Sequence, residues 1–197
     1  MPASVRWRDA NSPGHVVRYF ALALCLTACA GVARQPSDTQ CTEALAARPE
    51  DVASIDGIMQ AFYEVVNIAP NAPRQWARDR TLYSPWIRFV ATGKSPSGRP
   101  EVTTWTHQQL VDATEPLIRK GFREREIHRI EHRYGHIAHV DSTYETIIGL
   151  EKTKQSRGVN SIELYFDGAR WWISSVMWQS EDAEHPIPAT LLPSPGG

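Results

Sequence analysis

The chain has 197 residues, 42% hydrophobic and 22% charged, a composition that excludes a disordered or fibrous protein and allows one ordinary domain with extras. Its formal net charge of −1 gives no whole-molecule argument for nucleic acid. The arginines between 119 and 133 alternate with glutamates, the pattern of a solvated or cross-paired strand rather than of a phosphate-binding patch.

The first thirty residues read as an address. Arg6, Arg8 and Arg18 precede a short apolar run from Tyr19 to Leu26, too short to cross a bilayer as a helix. Leu26-Thr27-Ala28-Cys29 looks like a bacterial lipobox, in which small residues precede a cysteine that becomes lipidated and N-terminal. Residues 1–28 are therefore expected to be a lipoprotein signal peptide, with palmitate or similar chains on Cys29. Such acyl chains would hold the domain at a membrane of the bacterial envelope, on the periplasmic side. Cys25 is the other candidate, but Leu24 before it is too large for that cleavage. An ordinary secretory signal, leaving a soluble periplasmic or secreted protein, is the alternative. Residues 29–48, with Gly31, Pro36, Ser37 and Asp38, form a tether, and the domain is expected over 49–197. Cys41 has no CxxC partner or nearby histidine and is read as incidental, so no internal disulfide supports the fold.

Within the domain, Val52, Ile55, Ile58, Met59, Phe62, Val65 and Val66 recur at spacings of three and four, predicting one helix over about 50–66. Pro73 opens a short helix carrying Trp76; "WIRFVA" (86–91) reads as a strand and "TGKSPSGRP" as a loop. A third helix starts at Thr106, which has capping-box spacing to Gln109, and runs towards Arg119 with a possible kink at Pro116. "FREREIHRIEHR", "HIAHVDSTYETIIGL", "GVNSIELYF" and "ARWWISSVMW" are strands, with breaks at Tyr134-Gly135 and Asp167-Gly168. Helices followed by an antiparallel meander predict an α+β domain.

Three stretches, "REIHRIEHRYGHIAHVDSTYET", "RGVNSIELYFDGARWWISSVMWQSE" and "PIPATLL", resemble bacterial members of the SnoaL-like, nuclear-transport-factor-2-like superfamily. "IDGIMQAFYEVV" and "WARDRTLYSPWIRFV" fit the same pattern, so the resemblance covers roughly 50–192. It implies a cone, a strongly bent antiparallel sheet wrapped around three N-terminal helices, with a pocket inside and often a dimer. The superfamily includes steroid isomerases, small-molecule dehydratases, epoxide hydrolases and polyketide cyclases, and many members without catalytic activity. No position of this chain matches a known catalytic set, so the resemblance implies the fold more than an activity.

Asp167-Gly168 predicts a two-residue hairpin loop in which Leu164 faces Trp171, Ile162 faces Ile173 and Asn160 faces Ser175. Met177 joins that inner side, and Trp171 becomes core. Trp172 and Trp178 then lie on the opposite face, where aromatic surface signals a partner, so a homodimer through that face is expected. The alternative is that the tail "HPIPATLLP" covers both rings. A loop of different length would flip every assignment.

In the other hairpin, setting Ile130 opposite Val140 brings Arg129 to Asp141 and Arg125 to Glu145. The inner face then carries Phe122, Glu124, Glu126, His128, Ile130, Ala138, Val140, Ser142, Tyr144 and Ile148, with Glu126 across from Tyr144 and His128 across from Ser142. A carboxylate kept among aromatics has a raised proton affinity. Glu126, or His128, could therefore move a proton next to a carbonyl while Tyr144 stabilises the enolate. Ser142, Asn160, Ser175 and Trp171 are the expected ligand-binding residues. The competing reading is a polar pocket or satisfied hydrogen-bond network without turnover.

His128, His132, His136 and His139 would share a helix face only in part and spread apart on strands, and no carboxylate or cysteine completes a metal signature. No phosphate loop or GxSxG elbow is present. No metal, cofactor or nucleic acid is expected. The sequence therefore points to an envelope-anchored domain that binds a small, partly apolar molecule. The alternatives are a cofactor-free isomerase or lyase acting on a carbonyl compound, and a non-catalytic dimeric adaptor.

Overall fold

The computed structural model describes residues 46–149 and 154–194, so the expected signal peptide, Cys29 of the expected lipobox and most of the expected tether lie outside the described residues. The apolar stripe expected as one helix forms two, α1 (Pro49–Val52) and α2 (Ile55–Glu64). The break falls at Ser54, whose extended backbone lets its hydroxyl accept from the Gly57 amide at 3.0 Å and cap α2. Gly57 is required at this corner, because a β-carbon there would lie 2.2 Å from the Glu50 carbonyl oxygen. A short helix α3 (Trp76–Asp79) follows Pro73 as expected. Its Arg78 joins all three segments: it donates two hydrogen bonds of 2.8 Å to Asp51 and one of 2.6 Å to Glu64. That guanidinium holds the Asp51 carboxyl below the usual carboxylate range.

Strand β1 (Tyr83–Lys94) runs beyond the apolar hexapeptide, and the expected loop is a hairpin whose return strand β2 (Pro100–Trp105) the sequence reading missed. β2 is exposed along most of its length, so it lacks the apolar alternation that would mark it. Helix α4 (His107–Ile118) begins with the complete capping box between Thr106 and Gln109 and continues through Pro116. β3 (Phe122–Tyr134), β4 (Ile137–Ile148), β5 (Lys154–Phe166) and β6 (Trp171–Ser180) form the meander. The six strands lie in the order β2-β1-β6-β5-β4-β3. β1 pairs parallel to β6, so the sheet is mixed rather than wholly antiparallel, and the architecture is the expected α+β cone with helices on the concave face of a curved sheet. Ile58, Met59, Val65, Val140, Ile162, Ile173 and Val176 are fully buried where α2 meets that face.

Two β-bulges correct the expected registers. In β3–β4 the pairing holds as expected through Arg125↔Glu145 and Glu126↔Tyr144, then shifts at Ile127, so that His128 meets Thr143 and Arg129 meets Ser142. In β5–β6 the loop is four residues, Asp167 to Arg170, with the Asp167 carboxylate accepting from the Ala169 and Arg170 amides. Phe166 therefore faces Trp171, and Leu164 faces Ile173. Trp171 is buried as expected.

The second bulge, at Ser174, then exchanges the faces beyond it: Val176 points inwards, Met177 is 44% exposed, and Trp178 packs on the core, stacked 5.7 Å from Trp105. Trp178 thus leaves the outer face assigned to it, while Trp172 remains there beneath the Arg170 guanidinium. The tail after β6 carries a short helical turn at Ala189–Leu191. It crosses to β3 and β4, where Thr143 donates to the Leu191 carbonyl at 2.5 Å.

Replacing Gly57 by alanine must part α1 from α2. The expected cost is about 2–3 kcal/mol of unfolding free energy in urea denaturation, the scale of an overpacked core. An unchanged midpoint would show that the corner is not tight.

Candidate functional site

α2 places Tyr63 on its buried face, against strands β4 and β5. The Tyr63 hydroxyl lies 2.6 Å from Ser142 Oγ and accepts from Asn160 Nδ2 at 3.0 Å. Ser142 Oγ lies 2.5 Å from Glu126 Oε1, its donor role fixed by the carboxylate. Each hydroxyl has one proton, so the polarity of the chain follows: Asn160 donates to Tyr63, Tyr63 to Ser142 and Ser142 to Glu126. Glu126 also accepts three hydrogen bonds from the Arg129 guanidinium, whose remaining arm reaches Asp56 on α2 at 2.6 Å. Ser142, Asn160 and Glu126, three of the expected site residues, are thus brought together. The network also includes Tyr63 and Arg129, which the sequence reading did not single out.

The remaining expected residues separate. His128 sits past the bulge opposite Thr143 and is out of the network. Ser175 pairs with Glu163 at the Ser174 bulge rather than with Asn160. Trp171 lines a different cleft, of about 410 Å³, together with Asp56, Glu131, Arg133, His136 and Phe166. Tyr144 is on the concave face as expected, with its hydroxyl 3.3 Å from Ser180 Oγ, and burial pushes its pKa up to about 12. Gly158 makes room for it: a β-carbon there would lie 2.3 Å from the Tyr144 hydroxyl oxygen.

Glu126 is poorly placed as a base because its lone pairs are committed to Arg129 and Ser142. Glu124, two residues earlier on the same face, is the better candidate. Thr146 Oγ1 donates to it at 2.8 Å, and burial pushes its pKa up to about 7. Its charge bears on Tyr63, Tyr144 and Tyr83, and opposes the ionisation of each. Its backbone amide donates to Asn67 Oδ1 at 2.7 Å, which ties edge strand β3 to the loop after α2. Glu124 keeps part of its surface in a cleft of about 550 Å³ shared with Asn67, Ile68, Ala69, Arg123, Arg125, Glu145 and Ile147. The carboxyl is desolvated, which tunes it towards chemistry near neutral pH, and it lies with Thr146 on the face of the sheet opposite Arg123, Arg125, Glu145 and Ile147. The period-two pattern put Glu124 on the inner face, but carried no signal of which glutamate would remain free.

A second polar centre joins α3, β1 and α4. His107 Nε2 donates to the buried Asp79 at 3.0 Å, and the ring is surrounded by Trp76, Tyr83 and Phe89 at 4.9–6.0 Å. Arg74 Nε approaches the same carboxylate at 3.8 Å and makes no hydrogen bond. This centre is a tie between elements. Among the described residues no cluster of histidine, cysteine and carboxylate is arranged to hold a metal, and no helix is long and apolar enough to cross a membrane.

No protein-family model matches the chain, and no curated protein matches it. Among solved structures it is similar to LinA, with a TM-score of 0.50 and 10% identity over 73% of this chain and 92% of that one. It is also similar to the β subunit of a proposed aromatic-ring-hydroxylating dioxygenase from Novosphingobium aromaticivorans, with a TM-score of 0.50 and 12% identity over 71% of this chain and 94% of that one. At such identities the likeness establishes a fold. The chain has the nuclear-transport-factor-2-like, SnoaL-like fold that its sequence resembles.

The raised pKa of Glu124 has a stability consequence. Below its ordinary value of 4.5 both states hold the proton, and between there and about 7 only the folded state does. This group's contribution to stability is therefore complete at acid pH and lost as pH rises through about 7, by at most about 3 kcal/mol. Glu124→Gln should be increasingly stabilising relative to the parent between pH 5 and pH 8 in paired urea titrations. A pH-independent difference would place the carboxyl in water.

Proposed function

We propose that the domain binds a small, partly apolar molecule in the cleft walled by Ile68, Ala69 and Ile147, with Glu124 as its inner polar anchor. One observation carries this reading: a recess large enough for a metabolite-sized molecule is bordered by Glu124, whose carboxyl burial tunes to near neutrality. The satisfied network around Tyr63 supports it by fixing the wall behind that carboxyl. The enzyme alternative, a cofactor-free isomerase or lyase, is favoured by the same group. Glu124 would take a proton from the carbon beside a carbonyl, and the buried Tyr144 would have to leave its 3.3 Å contact with Ser180 to bring its hydroxyl to the enolate oxygen. Glu124 replaces Glu126 in that role.

The lipid anchor at Cys29 and the envelope location belong to the same proposal and rest on the lipobox resemblance alone. So does a homodimer through the outer sheet face, in a changed form. Trp172 is joined there by Trp86 (60% exposed, stacked on Tyr165), Ile137 and Met177, in place of Trp178. An exposed apolar face of this extent signals a partner surface. The adaptor alternative keeps this face and dispenses with the cleft.

Native mass spectrometry of the protein isolated from its own host tests both parts. The expected result is a dimer carrying a reproducible extra mass, with the mass lost in Ala69→Trp, which fills the cleft from its exposed rim, and the dimer lost in Trp86→Asp. An extra mass that survives Ala69→Trp would move the ligand elsewhere, and a bare monomer would contradict both parts.

A further inference from the structure

Arg123 stands where two recesses meet. It lines the cleft that Glu124 borders and also a smaller recess of about 150 Å³, walled by Ile68, Ala69, Pro70, Phe122 and Ile147. That apolar wall is rigidly built. Ile68 and Phe122 exchange two backbone hydrogen bonds of 2.9 Å. Gly121, at φ +90°, lets the Pro70 ring approach to within 2.9 Å of where a β-carbon would sit.

The charges around it differ in how they are used. Arg125 is matched by Glu145 through contacts of 3.1 and 2.7 Å. Arg123 takes part in no ion pair among the described residues. Glu124 opposes an anion in the cleft only weakly, because its side chain lies with Thr146 on the other face of the sheet from Arg123. The uncompensated positive charge of the cleft is therefore on Arg123, at the edge of the apolar recess.

We infer that the ligand of this cleft is a small apolar carboxylate, its head paired with the Arg123 guanidinium and its hydrocarbon part in the recess of Ile68, Pro70, Phe122 and Ile147. A guanidinium fork receives a carboxylate in two parallel hydrogen bonds, and the adjoining apolar wall takes the chain out of water. The inference rests on the reading of this cleft as the ligand site and adds the chemical class of what binds there.

Isothermal titration of the full chain with octanoate and with 1-octanol at pH 7 distinguishes the two layers. Octanoate is expected to bind the parent protein, and Arg123→Gln to weaken it at least about tenfold while octanol changes less than about twofold. Arg99→Gln, an exposed arginine between β1 and β2 that does not line the cleft, is expected to leave both probes within about twofold. If octanoate binds Arg123→Gln as well as the parent while Ala69→Trp abolishes both probes, the anionic class is overturned and the site stands. If the parent binds neither probe, the site and the inference fall together.

Discussion

The hydroxyl of Tyr63 holds helix α2 to the concave face of the sheet. It receives the Asn160 amide and gives its proton to Ser142, which passes its own to Glu126, while Arg129 closes the line back onto Asp56 of the same helix. Tyr63, Ser142 and Asn160 are buried while Asp56 at the end of the line is exposed, and an unmade hydrogen bond among the buried groups costs about 1–3 kcal/mol. The line therefore specifies how α2 sits on β4 and β5 more sharply than the surrounding Ile and Val contacts do, since apolar packing tolerates small slides. It also settles which acidic group is available. Glu126 is spent on structure, so Glu124 is left as the inner-face carboxyl with a tuned proton, on a residue that borders a cleft.

Two extra residues in the strands decide the chemistry of the faces. The bulge at Ile127 rotates His128 out and Arg129 in, turning the centre of the inner wall from a titratable pair into an ion-paired network. The bulge at Ser174 rotates Val176 and Trp178 in and Met177 out, which removes one ring from the outer apolar face and completes the core next to Trp105. Bulges of this kind re-aim side chains without changing which strands pair.

That is also where the sequence stops being legible. Alternation, turn residues and the capping box are local, and they located α3, α4 and the four meander strands. The Arg125–Glu145 pair correctly set one half of the β3–β4 register. The Arg129–Asp141 pair misled for the other half, because a period-two pattern reads the same before and after a bulge, and neither Ile127 nor Ser174 carries a glycine or proline that would mark one. Tyr63 was hidden for a different reason. Helical periodicity identifies an apolar face, while its partner Ser142 lies 79 residues away on a strand whose register had to be known first. β2 escaped because its exposed residues give no alternation to read. The fold was thus within reach, and the candidate site only in part: Ser142, Asn160 and Tyr144 lie where expected, while the catalytic emphasis moved from Glu126 to Glu124.

The likeness to solved cones says what scaffold this is. What the scaffold does depends on the groups placed in it. Here those are a desolvated carboxyl, buried Tyr144 and an arginine, without an ion pair among the described residues, at the rim of an apolar recess. The most direct test of their central member is a carbon-13 NMR titration of the Glu124 side-chain carboxyl, assigned by its loss in Glu124→Gln. A midpoint near 7 is the predicted result. A midpoint near the ordinary glutamate value of 4.5 would mean that the carboxyl is solvated, and the cleft would lose its anchor.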